Sequence, residues 1–510
     1  MKRNLLFIIA FLVYVLSFGQ GELDAYRYSN NDLSGTARGQ AMGGAFGALG
    51  GDVTGVAINP AGIGIYRSSE ILANMSLASS LTGGNTIQES NTKFSFDNIS
   101  SIIYYPLIKG SMLSLNFGFN YNRIKSFDHT YSASSAGMKS SLTDYIALST
   151  NGIYNSSLDD DPYNNSNIPW LSGLAWYGGL INPKENSSNE YVSLLDENEL
   201  VSPSLKVSEK GIIESYDFTI GSNILDKFYW GATFSITDIS YRMTSNYDEK
   251  FLDVSGSGFN LWNYLETQGS GFQFKLGVIY RPVDALRIGL SYHTPTWYTM
   301  TDYFNASITP RDIYIDDKEV GKQYTPDDAY INYYFRTPGT LTFSIAAVLG
   351  ERASMSLDYE NKNYSAMNLK DNNRYNLKDV NSLMSEDYKS TSTVRAGVEF
   401  RFTPMFSGRL GYAWAQNPYQ SDIKATGKVV ETVGTIPHYT LSGDVNYLTA
   451  GVGFRFTSRF YGDFALVFRT QKDDLYYFSP VVVNGAEADS FQGTFTNQTL
   501  KGLVTLGYKF

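Results

Sequence analysis

Cysteine is absent from all 510 residues. Disulfides, thiolate nucleophiles and cysteine-ligated metals are therefore excluded, and packing or strand pairing must hold the fold. Histidine is almost as scarce. His129, His293 and His438 stand in three separate segments, which is not the clustering that a zinc or haem ligand set requires, so no cofactor or metal is expected. Positive charge is in short supply, with 40 Lys and Arg against 50 Asp and Glu and a net charge of −10. The pI lies near 5.0, and such a chain offers no basic face for nucleic acid. Long apolar runs are missing beyond the N-terminus. Leu341 to Gly350 is apolar for about half of what a membrane-spanning helix needs.

The N-terminus holds the exception. Lys2 and Arg3 precede an apolar stretch from Leu5 to Leu16, and Ser17-Phe18-Gly19 places small residues at the spacing a signal peptidase reads. Residues 1–19 are expected to be a cleaved secretory signal, leaving Gln20 first in the mature chain. An uncleaved anchor would need roughly 20 apolar residues, which this run does not reach.

What the chain has in quantity is aromatic residues and glycine, with 39 Tyr, 31 Phe and 46 Gly. Tyr and Phe favour strands and gird the rims of membrane barrels. A mean hydropathy of −0.22 does not contradict a barrel, because lipid-facing and lumen-facing residues alternate and average out. That alternation is present. In Arg352–Glu360, Ala353, Met355, Leu357 and Tyr359 share one face, against Arg352, Ser354, Ser356, Asp358 and Glu360. Val394, Ala396, Val398, Phe400 and Phe402 likewise oppose Arg395, Gly397, Glu399 and Arg401. Leu448 to Thr457, Phe272 to Tyr280 and Leu286 to Tyr292 repeat the pattern.

Roughly fourteen segments of about ten residues follow from this reading. They fall near 69–79, 95–106, 111–122, 212–222, 228–241, 271–281, 286–296, 338–349, 352–361, 392–402, 406–415, 445–457, 459–471 and 499–510. Ten residues at about 3.3 Å, tilted near 45°, cover roughly 23 Å, close to the apolar band of membrane barrels. Short links at Pro106–Gly110, Asn223–Lys227, Pro282–Asp284, Gly350-Glu351, Thr403–Met405 and near Ser458 alternate with long polar loops, the largest from about 123 to 210. Short periplasmic turns and long extracellular loops are the expected asymmetry, with both termini periplasmic.

A soluble sandwich could show the same period, its apolar face covered by a second sheet. Charge placement favours the membrane. Arg281, Arg287, Arg395, Arg401, Arg409, Arg455 and Arg469 stand on the polar face, and one charge facing lipid at mid-depth would cost about 2–4 kcal/mol. Val504, Leu506, Tyr508 and Phe510 share a face of the last segment. A final strand ending on an aromatic residue resembles the signal read by outer-membrane assembly machinery. The expectation is an all-β transmembrane antiparallel barrel of about 14 strands, residues 69–510, in the outer membrane of a Gram-negative cell and in contact with its lipid.

Residues 20–68 do not alternate. They contain AMGGAFGALGGDVTGVAINPAGIG, whose glycines let the chain fold back sharply and pack closely. A barrel of this size encloses more space than side chains fill, so the segment is expected to lie inside as a hatch. The glycine-rich run ending in Asn59, Pro60 and Ala61, before a membrane barrel, resembles the hatch of the long-chain fatty acid transporter (FadL-like) family. That resemblance implies a plugged barrel for passive uptake of hydrophobic or amphipathic molecules such as fatty acids. Capture by surface loops, movement of the hatch and exit through the wall or lumen would follow. Only the Asn-Pro-Ala motif carries over by residue, and elsewhere such a motif is an ordinary turn.

No catalytic set emerges, and the chain is not expected to be an enzyme. Ser291 and His293 share the lumen face, as any polar-in strand provides. The glycine run lacks the Lys-Ser/Thr of a phosphate loop. Asp159-Asp160-Asp161 and Asp316-Asp317 do not match calcium-loop spacing. Trp170, Leu171, Leu174, Trp176 and Tyr177 cluster in the largest loop. They are candidates for substrate capture, or else for a small core folded over the mouth. The lumen arginines could hold a carboxylate or pair with Asp358, Glu360, Glu399 and Asp463 across strands. The rival function is a barrel acting as scaffold or shuttle in a surface-secretion or attachment system. An apolar tunnel reaching the hatch would distinguish the transporter.

Overall fold

The computed structural model describes residues 21–510 except 85–88, 160–162, 164–167, 197–198, 254–255, 316–317, 320–321, 425–427, 429, 484–485 and 489. The secretory signal expected at 1–19, together with Gln20, Asp160, Asp161, Asp316 and Asp317, lies outside the described residues.

The chain closes into a barrel of 14 antiparallel strands. They are β1 (Glu70–Gly84), β2 (Glu89–Pro106), β3 (Met112–Ser126), β4 (Val201–Ile224), β5 (Phe228–Phe251) and β6 (Gly258–Val283). Next, β7 joins Leu286–His293 to Trp297–Arg311, β8 joins Ala329–Arg336 to Thr340–Leu349, and β9 joins Ala353–Asn363 to Asn368–Lys370. The circuit ends with β10 (Ser390–Thr403), β11 (Phe406–Ala415), β12 (Tyr439–Arg455), β13 (Phe460–Tyr476) and β14 (Phe491–Lys509). Pairing of β1 with β14 runs from Glu70 opposite Lys509 to Gly84 opposite Phe495 and seals the wall. Closure leaves the sheet without an edge strand, a condition for crossing lipid without a helix. Among the described residues no helix is long and apolar enough to cross a membrane.

Each of the fourteen alternating segments overlaps one of these strands, with ends off by up to three residues where a segment meets a turn or an interruption, and the six short links are hairpin turns at one end. Leu225 and Asp226 adopt φ of 56° to turn β4 into β5, the left-handed geometry that tight hairpins demand. The outward row of β6 is Phe272, Phe274, Leu276, Val278 and Tyr280, all exposed, while the inward Lys275 is buried. The same holds for β10, where Val398, Phe400 and Phe402 face out. A continuous band of exposed Phe, Leu, Ile and Val would aggregate in water. In lipid it is the matched surface.

Two features differ from the sequence reading. First, β4, β5 and β6 run for 24, 24 and 26 residues, beyond the length a bilayer requires. Their extracellular halves pair with one another, and His129–Ser134 adds to β4. Above the membrane the pattern inverts. Leu205, Val207, Met243, Leu261 and Leu265 point inward and are buried, covered by loop helices Leu142–Thr150 and Trp170–Tyr177. The excursion expected at 123–210 therefore narrows to 127–200, because strand pairing claims both of its ends.

Second, the wall is broken at one height. β7 is interrupted at Thr294-Pro295-Thr296 and β8 at Thr337-Pro338-Gly339. Proline cannot donate to a ladder, and the strands reconnect through Thr337 N donating to Thr296 O, 3.1 Å. Between the pairs Arg336–Asn368 and Thr340–Lys362, β9 makes a helical turn at Tyr364–Ala366 instead of continuing the ladder.

Candidate functional site

Residues 21–69 pack against inward positions of strands all round the barrel, as a chain of short helical turns: Glu22–Ser29, Ala37–Ala41, Val53–Ile58 and Pro60–Ile65. Asn59 caps the last turn. Its Oδ1 accepts from Ala61 N at 3.1 Å, and its Nδ2 donates to Gly47 O at 2.8 Å and to Val278 O of β6 at 3.2 Å. Pro60 takes the first helical position, where its missing N–H costs nothing.

The wall makes room with glycine. A Cβ on Gly231 or Gly277 would overlap Pro60 or Asn59, and one on Gly397 or Gly411 would overlap Met42 or Gly43. A Cβ on Gly289 would lie 2.7 Å from Gly47 O. These belong to the polar, inward row of their strands, where backbone meets backbone. Side chains complete the seat. Ala37 N donates to Thr505 Oγ1 at 2.8 Å, and Gly43 N to Thr449 Oγ1 at 3.0 Å. Phe46 N and Gly47 N donate to Asp358 Oδ2 at 3.0 and 2.9 Å. Asn116 Nδ2 donates to Ile63 O at 2.6 Å. Sequence reasoning did not single out Thr449, Thr505, Asn116 or the wall glycines. The available signal was glycine recurring on the polar face of successive strands.

The lumen arginines divide by height. Arg409 donates to Glu399 and Asp463, both at 2.6 Å, and Glu399 also receives both nitrogens of Arg38 from the N-terminal segment at 2.9 Å. Arg395 donates to Glu360 at 2.9 Å. Asp358 serves the backbone of the N-terminal segment, with Phe46 N and Gly47 N donating to it. Arg287 donates to Leu49 O, and Arg281 to Asp284 at 2.6 Å in the turn after β6. Arg401 and Arg455 line a cavity of 110 Å³ with Lys509 at the turn end of the barrel. Arg469 donates to Gln471 beside the main cavity. Ser291 Oγ and His293 Nε2 do not address each other: both donate to Ile58 O, at 2.8 and 2.9 Å.

In the loops, Trp170, Leu171 and Leu174 are buried, with Trp170 packed on Phe304 at 5.6 Å. Trp176 Nε1 donates to Asp159 at 3.0 Å, and Tyr177 stacks on Tyr324 at 4.2 Å. The cluster thus forms the loops' own core, and only Trp176 and Tyr177 keep partial exposure.

Two chambers flank Tyr26–Ser34. One, of 320 Å³, lies against β1, β3 and β12–β14 and is lined by residues such as Arg27, Lys125, His129, Glu209 and Asn497. The other, of 200 Å³, lies against β6–β11 and reaches Thr296, Thr337 and Pro338 at the wall break. Both linings are rich in hydroxyls and amides. Buried polar atoms without partners face them: Gln40 Oε1, His438 Nδ1, Asp473 Oδ1 and Asn122 Oδ1. The inner side of the break is stopped by the first helix. Tyr26 meets Tyr364 edge-on at 5.1 Å, and Ser29 Oγ lies 3.4 Å from Met367 Sδ.

This architecture defines a transmembrane β-barrel of the outer-membrane type whose lumen holds its own N-terminal segment. It is similar to the FadL homologue of Pseudomonas aeruginosa, with a TM-score of 0.55 at 12% identity over 94% of this chain and 99% of that one. The CymD monoaromatic hydrocarbon channel gives 0.50 at 11% identity, covering 94% and 97%. At these identities the likeness establishes a shared fold. No protein-family model matches the sequence, and no curated protein matches it.

Proposed function

We propose that the protein is an outer-membrane channel for passive uptake of small hydrophobic or amphipathic molecules, gated by its N-terminal segment. The observation that carries this is the pair of chambers on either side of Tyr26–Ser34, one of them ending at the wall break behind Tyr26 and Ser29. The shared fold with proteins described as a FadL homologue and a monoaromatic hydrocarbon channel supports it. Ligand passes from the loops into the first chamber, crosses beside Tyr26–Ser34 into the second, and leaves when the helix withdraws from Tyr364 and Met367. Trp176 and Tyr177 offer the partly exposed aromatic surface for first capture. Asn59, Pro60 and Ala61 hold the lower segment on the wall while the upper helix moves.

The polar linings favour an amphipathic ligand, such as a fatty acid, over a pure hydrocarbon, because a carboxylate head can accept from the donors of the lining and a hydrocarbon cannot. Arg469 and Lys125 stand ready for an acidic head group, as charge-assisted donors do. No bond is made or broken, and no catalytic role is assigned. The test is native mass spectrometry of the detergent-purified barrel with identification of extracted lipids, beside the variant Asn59→Ala/Pro60→Ala. A co-purifying amphipathic molecule, diminished in the variant, supports gated uptake. A stoichiometric protein partner without any bound small molecule would replace this reading with the scaffold.

A further inference from the structure

Where the wall rises above the membrane, its outward face carries a band of aromatic rings that the uptake route does not use. On β6, Trp262 and Tyr264 stack at 6.3 Å with 18° between planes. Tyr264 meets Tyr303 of β7 edge-on at 5.7 Å, and Tyr303 meets Tyr330 of β8 at 5.1 Å. Register sets the pairing, since Tyr303 is opposite both Glu266 and Tyr330. Tyr330 is 70% exposed. Polar groups are fixed among the rings. Glu266 accepts from Arg242 at 2.9 Å, from Tyr264 at 2.7 Å and from Gln268 at 3.0 Å, and Thr301 donates to Asn332 at 2.7 Å.

This is not the interfacial aromatic girdle. Trp297 holds that position, 5.3 Å from Phe272 at the top of the apolar band. Above Phe272 the outward residues of β6 are Ser270, Gln268 and Glu266 before Tyr264 is reached. Eight residues at about 3.3 Å on a strand tilted near 45° raise Tyr264 roughly 19 Å above the band. In an outer membrane that height belongs to the sugars of the outer-leaflet glycolipid.

We propose that the outward face of β5–β8 is a saccharide-binding platform, occupied by the sugar headgroup of the glycolipid surrounding the barrel. A pyranose presents a C–H face, slightly positive, that lies on the negative face of an aromatic ring. Its hydroxyls then reach Glu266, Arg242, Gln268 and Asn332. The platform is continuous with the lipid-facing wall, so a glycolipid whose acyl chains lie against Phe272 and Leu276 has its head at the rings. The exposed Lys210 on the neighbouring β4 gives a cation for the acidic groups of such sugars, beside Arg242 and Lys206, which pair with Glu266 and Glu89. The inference rests on the outer-membrane placement argued above and not on the transported ligand.

The test titrates deacylated lipopolysaccharide oligosaccharide into the detergent-purified barrel by calorimetry. Wild type is compared with Trp262→Ala/Tyr303→Ala and with Ile108→Ala, a change at an exposed residue of the β2–β3 turn at the opposite end of the barrel. The platform residues point outward from intact strands, and circular dichroism checks that the double variant keeps its sheet. Saturable binding weakened at least tenfold in the double variant, and unchanged in Ile108→Ala, supports the proposal. Equal binding by the double variant, or none by wild type, overturns it. Equal competition by neutral dextran overturns the assignment to glycolipid. A stoichiometric protein lost only from the double variant assigns the surface to a protein partner instead. Because transport is not measured, failure of the uptake reading leaves a distinct signature.

Discussion

At the residue scale, Glu399 is the joint between the N-terminal segment and the wall. It takes both nitrogens of Arg38 and also Arg409, which in turn reaches Asp463. The side chains of Glu399, Arg409 and Asp463 are all largely buried. Removing one charge from such a cluster strands its partners, at a cost of about 3–5 kcal/mol. Glu399→Gln is therefore expected to destabilise strongly, lowering the denaturant midpoint of refolded barrel. Arg38→Met should cost clearly less, because Arg409 still neutralises Glu399. Equal losses in the two variants would show that the network does not act as described. Gly397 makes a second test. A Val there drives its side chain into Met42, so the segment should lose its seat and become sensitive to added protease while the barrel stays intact.

At the element scale, the first helix is held between the wall break and two extracellular loops. The chain has no cysteine, so an engineered pair is unambiguous. Ser29→Cys with Met367→Cys, whose native side chains approach to 3.4 Å, should cross-link the helix to β9 on oxidation. Uptake is expected to stop in the oxidised form and return with reductant, with each single variant behaving as wild type. Uptake indifferent to the cross-link would eliminate this helix as the gate.

The loops add a pH dependence. Tyr388 OH donates to Glu22 O at 3.2 Å, which ties the helix to the loop helix Lys378–Asp387. Burial raises the Glu22 carboxyl, with Asp387 adding to it, and burial raises Asp387 although Lys428 opposes the shift. Glu431 is pushed up to about 7, first by burial and then by Asp379. A carboxyl whose pKa is raised in the docked state favours docking while protonated, and that stabilisation is lost as pH rises through the raised value. Corrected for the base-catalysed intrinsic rate, hydrogen exchange in 430–438 should thus be slow near pH 5 and accelerate toward pH 8. Glu431→Gln should flatten the profile, and a rate independent of pH in wild type would refute the linkage.

At the scale of the whole molecule, the chambers and the break make a route only if the ligand's chemistry suits a hydroxyl- and amide-lined interior. Reconstituted barrel should pass a fatty acid faster than an alkane of equal length, by roughly tenfold if one charge-assisted hydrogen bond of about 1.5 kcal/mol is gained in the chamber. Lys125→Met/Arg469→Met should erase most of that preference. Flux of alkane and acid at equal rates would rule out the polar chambers as the selective element.

The membrane-spanning part of each strand, the number of strands and the sides they present could be read from the residues alone. Those depend on a period of two and on the cost of placing charge in lipid, both written residue by residue from Arg352 to Glu360 as from Val394 to Phe402. The glycine run and Asn59 were legible because backbone that folds on itself requires them. Relations between distant strands came only with the fold. Ser291 and His293 look like a pair in sequence, yet both donate to Ile58 O, because the N-terminal segment lies across that strand. Trp170 could serve capture or a loop core as far as the sequence goes, and Phe304 of β7 covers it. Tyr264, Tyr303 and Tyr330 lie far apart in the chain and meet only through register. Alternation names the face a residue occupies, while closure of the barrel decides what that face meets.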